Sequence, residues 1–267
     1  RILSGGSLAL GESYMDGWWD CDSLDQFGDK LLSARIDKKV KITNPYFLMN
    51  IVRAYLFNAQ TTKRAYIVGT EHYDIGNDLF SLMLDERMNY SCGYWRKAEN
   101  LEQAQINKLD LICRKLHLKP GMTILEIGCG WGSFAKYAAE NYGVSVHGIT
   151  ISKEQVSYAK KSCEGLDVSF ELKDYRELNK KYDCIVSIGM FEHVGYKNYR
   201  NYMKVVNRCL KDDGLFLLHT IGRNNPGRAT DPWINKYIFP NGMSPSSSQI
   251  CKSIEGLFVI EDWHNFG

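Results

Sequence analysis

From residue 100 onward, short apolar runs alternate with stretches of helical character, and this alternation is the strongest constraint on what the chain can fold into. Thr123–Ile127, Val144–Ile149, Val168–Leu172, Cys184–Ile188, Leu215–His219 and Phe258–Ile260 are predicted strands. Parallel neighbours cannot be joined by a tight hairpin, so intervening helices must carry each crossover, which predicts an α/β fold with a doubly wound parallel sheet. Asn100 is a candidate cap for a helix whose apolar positions Leu109, Ile112, Cys113 and Leu116 recur at helical spacing, ending at Lys119-Pro120-Gly121. The 267 residues, 44% of them hydrophobic, suffice for one full core plus a small second unit.

Residues 1–65 lack the alternation and are expected to form that small N-terminal accessory domain, leaving 66–267 as the main α/β domain. Charge is unevenly divided within this segment. Up to Asp29 a single base, Arg1, faces six acids, whereas from Lys30 to Arg64 eight bases face Asp37 alone. Tyr46, Phe47, Leu48, Met49, Ile51, Val52, Tyr55, Leu56 and Phe57 are interleaved with the basic strip. That mixture suits the interface of an anionic membrane, although a solvated helix face over an ordinary small core gives the same pattern.

Several function classes are excluded by composition. A formal net charge of +2 is too balanced for a nucleic-acid binder. The eight cysteines form no CxxC pair and no Cys/His cluster, so reduced thiols in a cytoplasmic protein are expected, with neither a metal site nor a disulfide framework. No apolar run approaches the roughly 20 residues needed to span a bilayer, and no signal-peptide pattern opens the chain. The chain begins at Arg1 and stops at Gly267 just after a strand-like segment, and is expected to be a fragment lacking its C-terminal part.

The first strand runs into Glu126-Ile127-Gly128-Cys129-Gly130-Trp131-Gly132, followed by a helix starting near Ser133. Glycines there allow a sharp turn and a close backbone approach to a ligand, at the place where open α/β sheets bind nucleotides. The dinucleotide fingerprint GxGxxG requires glycine at 133, where this chain has serine. The ExGxGxG form instead resembles motif I of the Rossmann-like class I methyltransferases, whose ligand is S-adenosylmethionine. Thr150 and Gln155 after the second strand, and Asp174-Tyr175 after the third, are candidates for ribose or methionine contacts and for binding and stacking on adenine.

His72-Tyr73-Asp74, Tyr90-Ser91-Cys92, Leu125–Gly132, Gly189-Met190-Phe191-Glu192-His193-Val194-Gly195 and His219-Thr220-Ile221-Gly222 resemble, in order and spacing, the cyclopropane fatty acid synthases. The likeness extends from the Gly11–Trp19 run to Asp262–Gly267, nearly the whole chain. It implies that Tyr73, Tyr90, Ser91, Gly128, Cys129, Gly130, Thr150, Gln155, Asp174 and Tyr175 line the S-adenosylmethionine. It further implies that Cys92, Glu192, His219 and the main chain of Ile221 hold a bicarbonate ion, the general base, aided by a tyrosine beyond Gly267. The implied substrate is an unsaturated phospholipid in a bilayer, reached by peripheral association with the inner face of the cytoplasmic membrane. The resemblance leaves room for a homodimer.

The chemistry calls for such a base independently. Attack of an alkene on a sulfonium methyl leaves a carbocation, and ring closure needs a proton removed from the carbon just delivered, inside an apolar pocket. Each residue has a plainer role as well. Glu192 could cap a helix, His219 could be a satisfied core histidine, and Cys92 could be a small buried hydrophobe. What favours the functional roles is that strands four and five of such a sheet end beside the ligand crevice, bringing Glu192 and His219 together. A C-methyltransferase that stops after methyl addition, an enzyme of the mycolic-acid branch, and a non-catalytic lipid-binding protein are the alternatives. The N-terminal unit speaks against the mycolic-acid branch, whose members resemble this chain only from about His72.

Overall fold

A computed structural model describes residues 2–35, 77–227 and 230–265. The expected domain boundary near 65, most of the basic strip and Tyr73 lie outside these residues. The described chain divides into two compact units, one comprising 2–35 with 227 and 230–243, the other 77–226 with 244–265.

The first unit contains helices α1 (Ile2–Met15, kinked at Gly6) and α2 (Leu24–Ser33). Aromatic packing joins them through Trp19, whose ring lies 4.9 Å from both Tyr14 and Phe27 and whose indole N–H donates to Ser13 Oγ. Against α1 lies a short helix from far along the chain, Pro232–Tyr237, with Lys236 Nζ 2.6 Å from Glu12 Oε1.

In the second unit, α3 (Asn77–Met83) and α4 (Leu101–Lys115) precede the sheet, whose strands are β1 (Thr123–Ile127), β2 (Ser145–Thr150), β3 (Val168–Leu172), β4 (Tyr182–Ile188) and β5 (Leu210–His219). Helices α5 (Ser133–Tyr142), α6 (Lys153–Ser162) and α7 (Tyr199–Cys209) connect them, except that β3 and β4 are joined through a 3-10 turn at Tyr175–Glu177. All four pairings are parallel, in the order β3-β2-β1-β4-β5. The order reverses between β1 and β4, and a ligand crevice opens at the carboxyl ends of strands at such a switch point.

One face of the sheet is covered by apolar residues of α4 and α5. Leu109, Ile112, Cys113 and Leu116 pack with Phe134, Ala135 and Ala138 over Ile124, Val146, Cys184 and Val186. Asn100 caps α4 as expected, its side chain accepting from Gln103 N. The helix stops at Lys115, however, four residues before Lys119-Pro120. His117 adopts a left-handed φ of 49° and Leu118 N reaches back to Cys113 O, closing the helix locally before proline is met.

Phe258–Ile260, expected as a strand, is not one. A strand needs a hydrogen-bonded neighbour, and no described segment pairs with it. Phe258 packs on Phe216 of β5, while Val259 is 88% exposed.

Candidate active site

The glycine-rich turn leaves β1 at the switch point. Gly128 has φ +82°, and a Cβ there would come within 2.6 Å of Met190, so its lack of side chain lets the segments after β1 and β4 touch. Gly130 also has positive φ, but a Cβ there would meet open space, which is the room a nucleotide needs along the main chain. Cys129 is buried, and Trp131 tucks under α3, its indole N–H donating to Asn77 Oδ1 at 2.7 Å. Glu126 is fully buried, and burial holds its carboxyl well above the usual carboxylate range.

Two further segments meet beyond β4 and β5. Ile188 pairs with His219, and Gly189 N donates to His219 O at 3.0 Å. After β4 a 3-10 turn, Phe191–His193, is anchored by Phe191, whose ring stacks on Tyr199 at 4.3 Å. The turn delivers Glu192, 8% exposed, whose Oε1 accepts from Ile221 N at 2.7 Å. Its Oε2 is buried with no hydrogen-bond partner among the described residues, and burial raises its pKa. The Ile221 amide thus serves Glu192 directly.

Cys92 is exposed rather than buried, which disposes of the hydrophobe role, and its Sγ lies 3.6 Å from His219 Nε2. Burial, with a contribution from the nearby Lys108 charge, pushes His219 down to about 4, so its imidazole is neutral at physiological pH. Tyr90 lies edge-on to Phe80 at 5.6 Å, and Ser91 sits beside the end of β4, where a Cβ on Gly189 would be 3.6 Å from that of Ser91.

The residues after β2 and β3 have structural partners. Thr150 Oγ1 donates to Gln155 Oε1 at 2.6 Å, and Ser152 caps α6. Asp174 caps the 3-10 turn at Tyr175–Glu177 and pairs with Arg176 at 2.7 Å. The Arg176 guanidinium also lies over the Tyr175 ring, whose edge meets Tyr202.

One buried group was missed. Lys108 is 0% exposed on α4 and reaches under the Tyr90–Cys92 loop. The signal was present, because Lys108 falls next to Leu109 and one turn before Ile112 on the apolar stripe, where a charge is out of place.

The family model for mycolic acid cyclopropane synthetase matches residues 60–267. The chain is 60% identical over its whole length to the cyclopropane-fatty-acyl-phospholipid synthase of Escherichia coli strain K12, and covers 70% of that protein. The mycolic acid cyclopropane synthase CmaA1, crystallised with SAH and CTAB, is 35% identical, with a TM-score of 0.66 over 71% of this chain and 73% of that one. Coclaurine N-methyltransferase, at 22% identity and a TM-score of 0.70 over 93% of this chain and 76% of that one, shares the fold.

Proposed function

The chain belongs to the mycolic acid cyclopropane synthetase family, and from that premise we propose that it transfers a methylene carbon from S-adenosylmethionine to the cis double bond of an unsaturated phospholipid acyl chain. It is an S-adenosylmethionine-dependent methyltransferase with the α/β Rossmann-like fold. Tyr73, Tyr90, Ser91, Gly128, Cys129, Gly130, Thr150, Gln155, Asp174 and Tyr175 are assigned to the donor by resemblance, a reading supported by the open main chain at Gly130, and Glu192, Ile221, His219 and Cys92 are assigned to a bound bicarbonate.

The observation that carries the assignment is the buried Glu192 carboxyl, whose Oε2 has no hydrogen-bond partner among the described residues and whose Oε1 accepts from the amide of Ile221, two residues beyond His219. Burial raises the Glu192 pKa and so favours the form that donates to an oxyanion, and a neutral imidazole can do the same through its N–H. His219, down at about 4, takes up a proton poorly and is ill suited to be the base itself. Bicarbonate supplies an exchangeable proton acceptor when bound, one that a passing carbocation cannot permanently disable. Glu192, itself buried, would orient it, and the Ile221 amide orients Glu192. Glu192 acting as the base without bicarbonate is a second reading, favoured by its raised pKa and its unpartnered oxygen.

Access to lipid is proposed to be peripheral, from the inner face of the cytoplasmic membrane. No described helix is long and apolar enough to cross a membrane. Helix α3 exposes Leu79, Leu82 (88%) and Met83 while burying Phe80 beneath Trp131 and Tyr90, which supports contact with acyl chains close to the crevice. Residues 30–64 are proposed to add attraction to anionic headgroups, and residues 1–65 to act as a lipid-associated domain.

Incubation with labelled S-adenosylmethionine and unsaturated phospholipid vesicles tests the whole. The expected product gains CH2 and loses its alkene, and turnover falls when bicarbonate is stripped and returns when it is restored. A methylated alkene as product would favour simple methyl transfer, and turnover indifferent to bicarbonate would favour Glu192 as base. Charge reversal at Lys38, Lys39 and Lys41 is expected to weaken vesicle binding at low salt, and unchanged binding would remove the headgroup role.

A further inference from the structure

A chain of polar side chains runs beneath the Tyr90–Cys92 loop, its hydrogen bonds diverging from Lys108 toward Asp85 on one side and Ser91 on the other. Asp85, 3% exposed, accepts through Oδ2 from Asn89 Nδ2 at 2.8 Å and through Oδ1 from Asn89 N at 2.6 Å. The Asn89 amide therefore turns its Oδ1 the other way, where it accepts from Ser133 Oγ at 3.0 Å and from Lys108 Nζ at 3.2 Å. Lys108 Nζ donates in turn to Ser91 Oγ at 2.8 Å, and Gln105 Nε2 holds the Ser91 carbonyl at 2.9 Å.

An ammonium has three donors and no acceptor, so toward Lys108 the Ser91 oxygen can only accept. Its own hydrogen must then point elsewhere, and Ser91 lies beside the end of β4, where the ligand crevice opens. The result is a hydroxyl with a dictated polarity, a donor, backed by a buried positive charge. That combination fits an anion, and S-adenosylmethionine and its product each carry one anionic group, the carboxylate.

We propose that Lys108 is a positioning residue that compels Ser91 to donate a hydrogen bond to the carboxylate of the bound S-adenosyl ligand. It acts through Ser91 and touches no reacting atom. Because it takes the ligand to be S-adenosylmethionine, it rests on the function proposed above.

Binding of two probes to the whole chain, measured by titration calorimetry, tests it. S-adenosylhomocysteine has the carboxylate, and methylthioadenosine lacks it. Lys108→Met and Ser91→Ala are each expected to weaken S-adenosylhomocysteine by about tenfold to a hundredfold, the worth of one charge-assisted hydrogen bond, and to leave methylthioadenosine within about twofold. The double variant should bind no more weakly than Ser91→Ala alone, because both changes remove one shared interaction. Additive losses, or equal losses for both probes, would overturn the assignment.

The unmodified chain gives a second measurement that stands even if Lys108→Met does not fold. Burial lowers the Lys108 pKa to about 8 against the opposing charges of Asp85, Cys92 and Glu126, and His219 feels its field. Lys108 is charged below that value and neutral above it. Affinity for S-adenosylhomocysteine should therefore decline as pH rises through about 8, and the decline should be much shallower in Ser91→Ala. Equal slopes in the two proteins would overturn the inference. Absence of any S-adenosylhomocysteine binding by the unmodified chain would instead remove the proposed donor, and this inference with it.

Discussion

Glu192→Gln is expected to lower turnover by about a hundredfold or more, with little change in thermal stability. Glutamine keeps an oxygen for the Ile221 amide, so the 2.7 Å bond that joins the segments after β4 and β5 survives. The buried Oε2 becomes an NH2 that can neither carry nor pass on a proton. Losing one well-placed group at a site of developing charge costs roughly 100–1,000-fold. Rate measurements with labelled donor beside a thermal melt separate the two effects, and a variant that turns over like the parent would remove Glu192 from the chemistry. Cys92→Ser makes the contrast. A hydroxyl can still bond His219 Nε2, so most activity should persist, and a covalent adduct trapped on Cys92 during turnover would contradict the non-nucleophilic role assigned to it.

Gly128→Ala is expected to destabilise the fold more than any other single glycine change in the motif I turn. At φ +82° an L side chain is strained by about 1–2 kcal/mol. The added Cβ would also sit 2.6 Å from both Cβ and Cγ of Met190, and forcing a methyl into packed surroundings costs about 1–3 kcal/mol. The sum, about 2–5 kcal/mol, corresponds to a loss of roughly 5–15 °C in Tm for a domain of this size. Gly130→Ala separates structure from binding. It bears the backbone strain alone, since its Cβ meets nothing, and should lose affinity for S-adenosylhomocysteine out of proportion to its small loss in Tm. Equal melting temperatures for the two variants would show that the contact with Met190 is not what requires glycine at 128.

Much of the architecture was legible along the chain because its signals are local. Five of the six expected strands are present, α4 starts at its Asn100 cap, and α5 begins at Ser133 directly after the glycine turn. Periodicity, caps and glycine spacing are properties of neighbouring residues, and neighbours are what a sequence lists. The sixth expected strand failed for the opposite reason. Phe258–Ile260 has the composition of a strand, but being one depends on a partner elsewhere in the chain.

The site divides along the same line. The order of motifs was enough to nominate Glu192, His219 and Cys92, since strand ends on one edge of a parallel sheet converge whatever the loops do. Which atoms meet was decided only in three dimensions. The Ile221 amide turns to Glu192, Thr150 and Gln155 bond one another, Pro232–Tyr237 packs on α1 from more than 200 residues away, and Lys108 lies under Ser91. By itself the sequence determined five of the strands, the starts of α4 and α5, and which ligand the first glycine turn suits. The tertiary structure decided the direction of each buried hydrogen bond, because an isolated stretch of chain leaves its polar groups to water, and only packing obliges each to choose a partner.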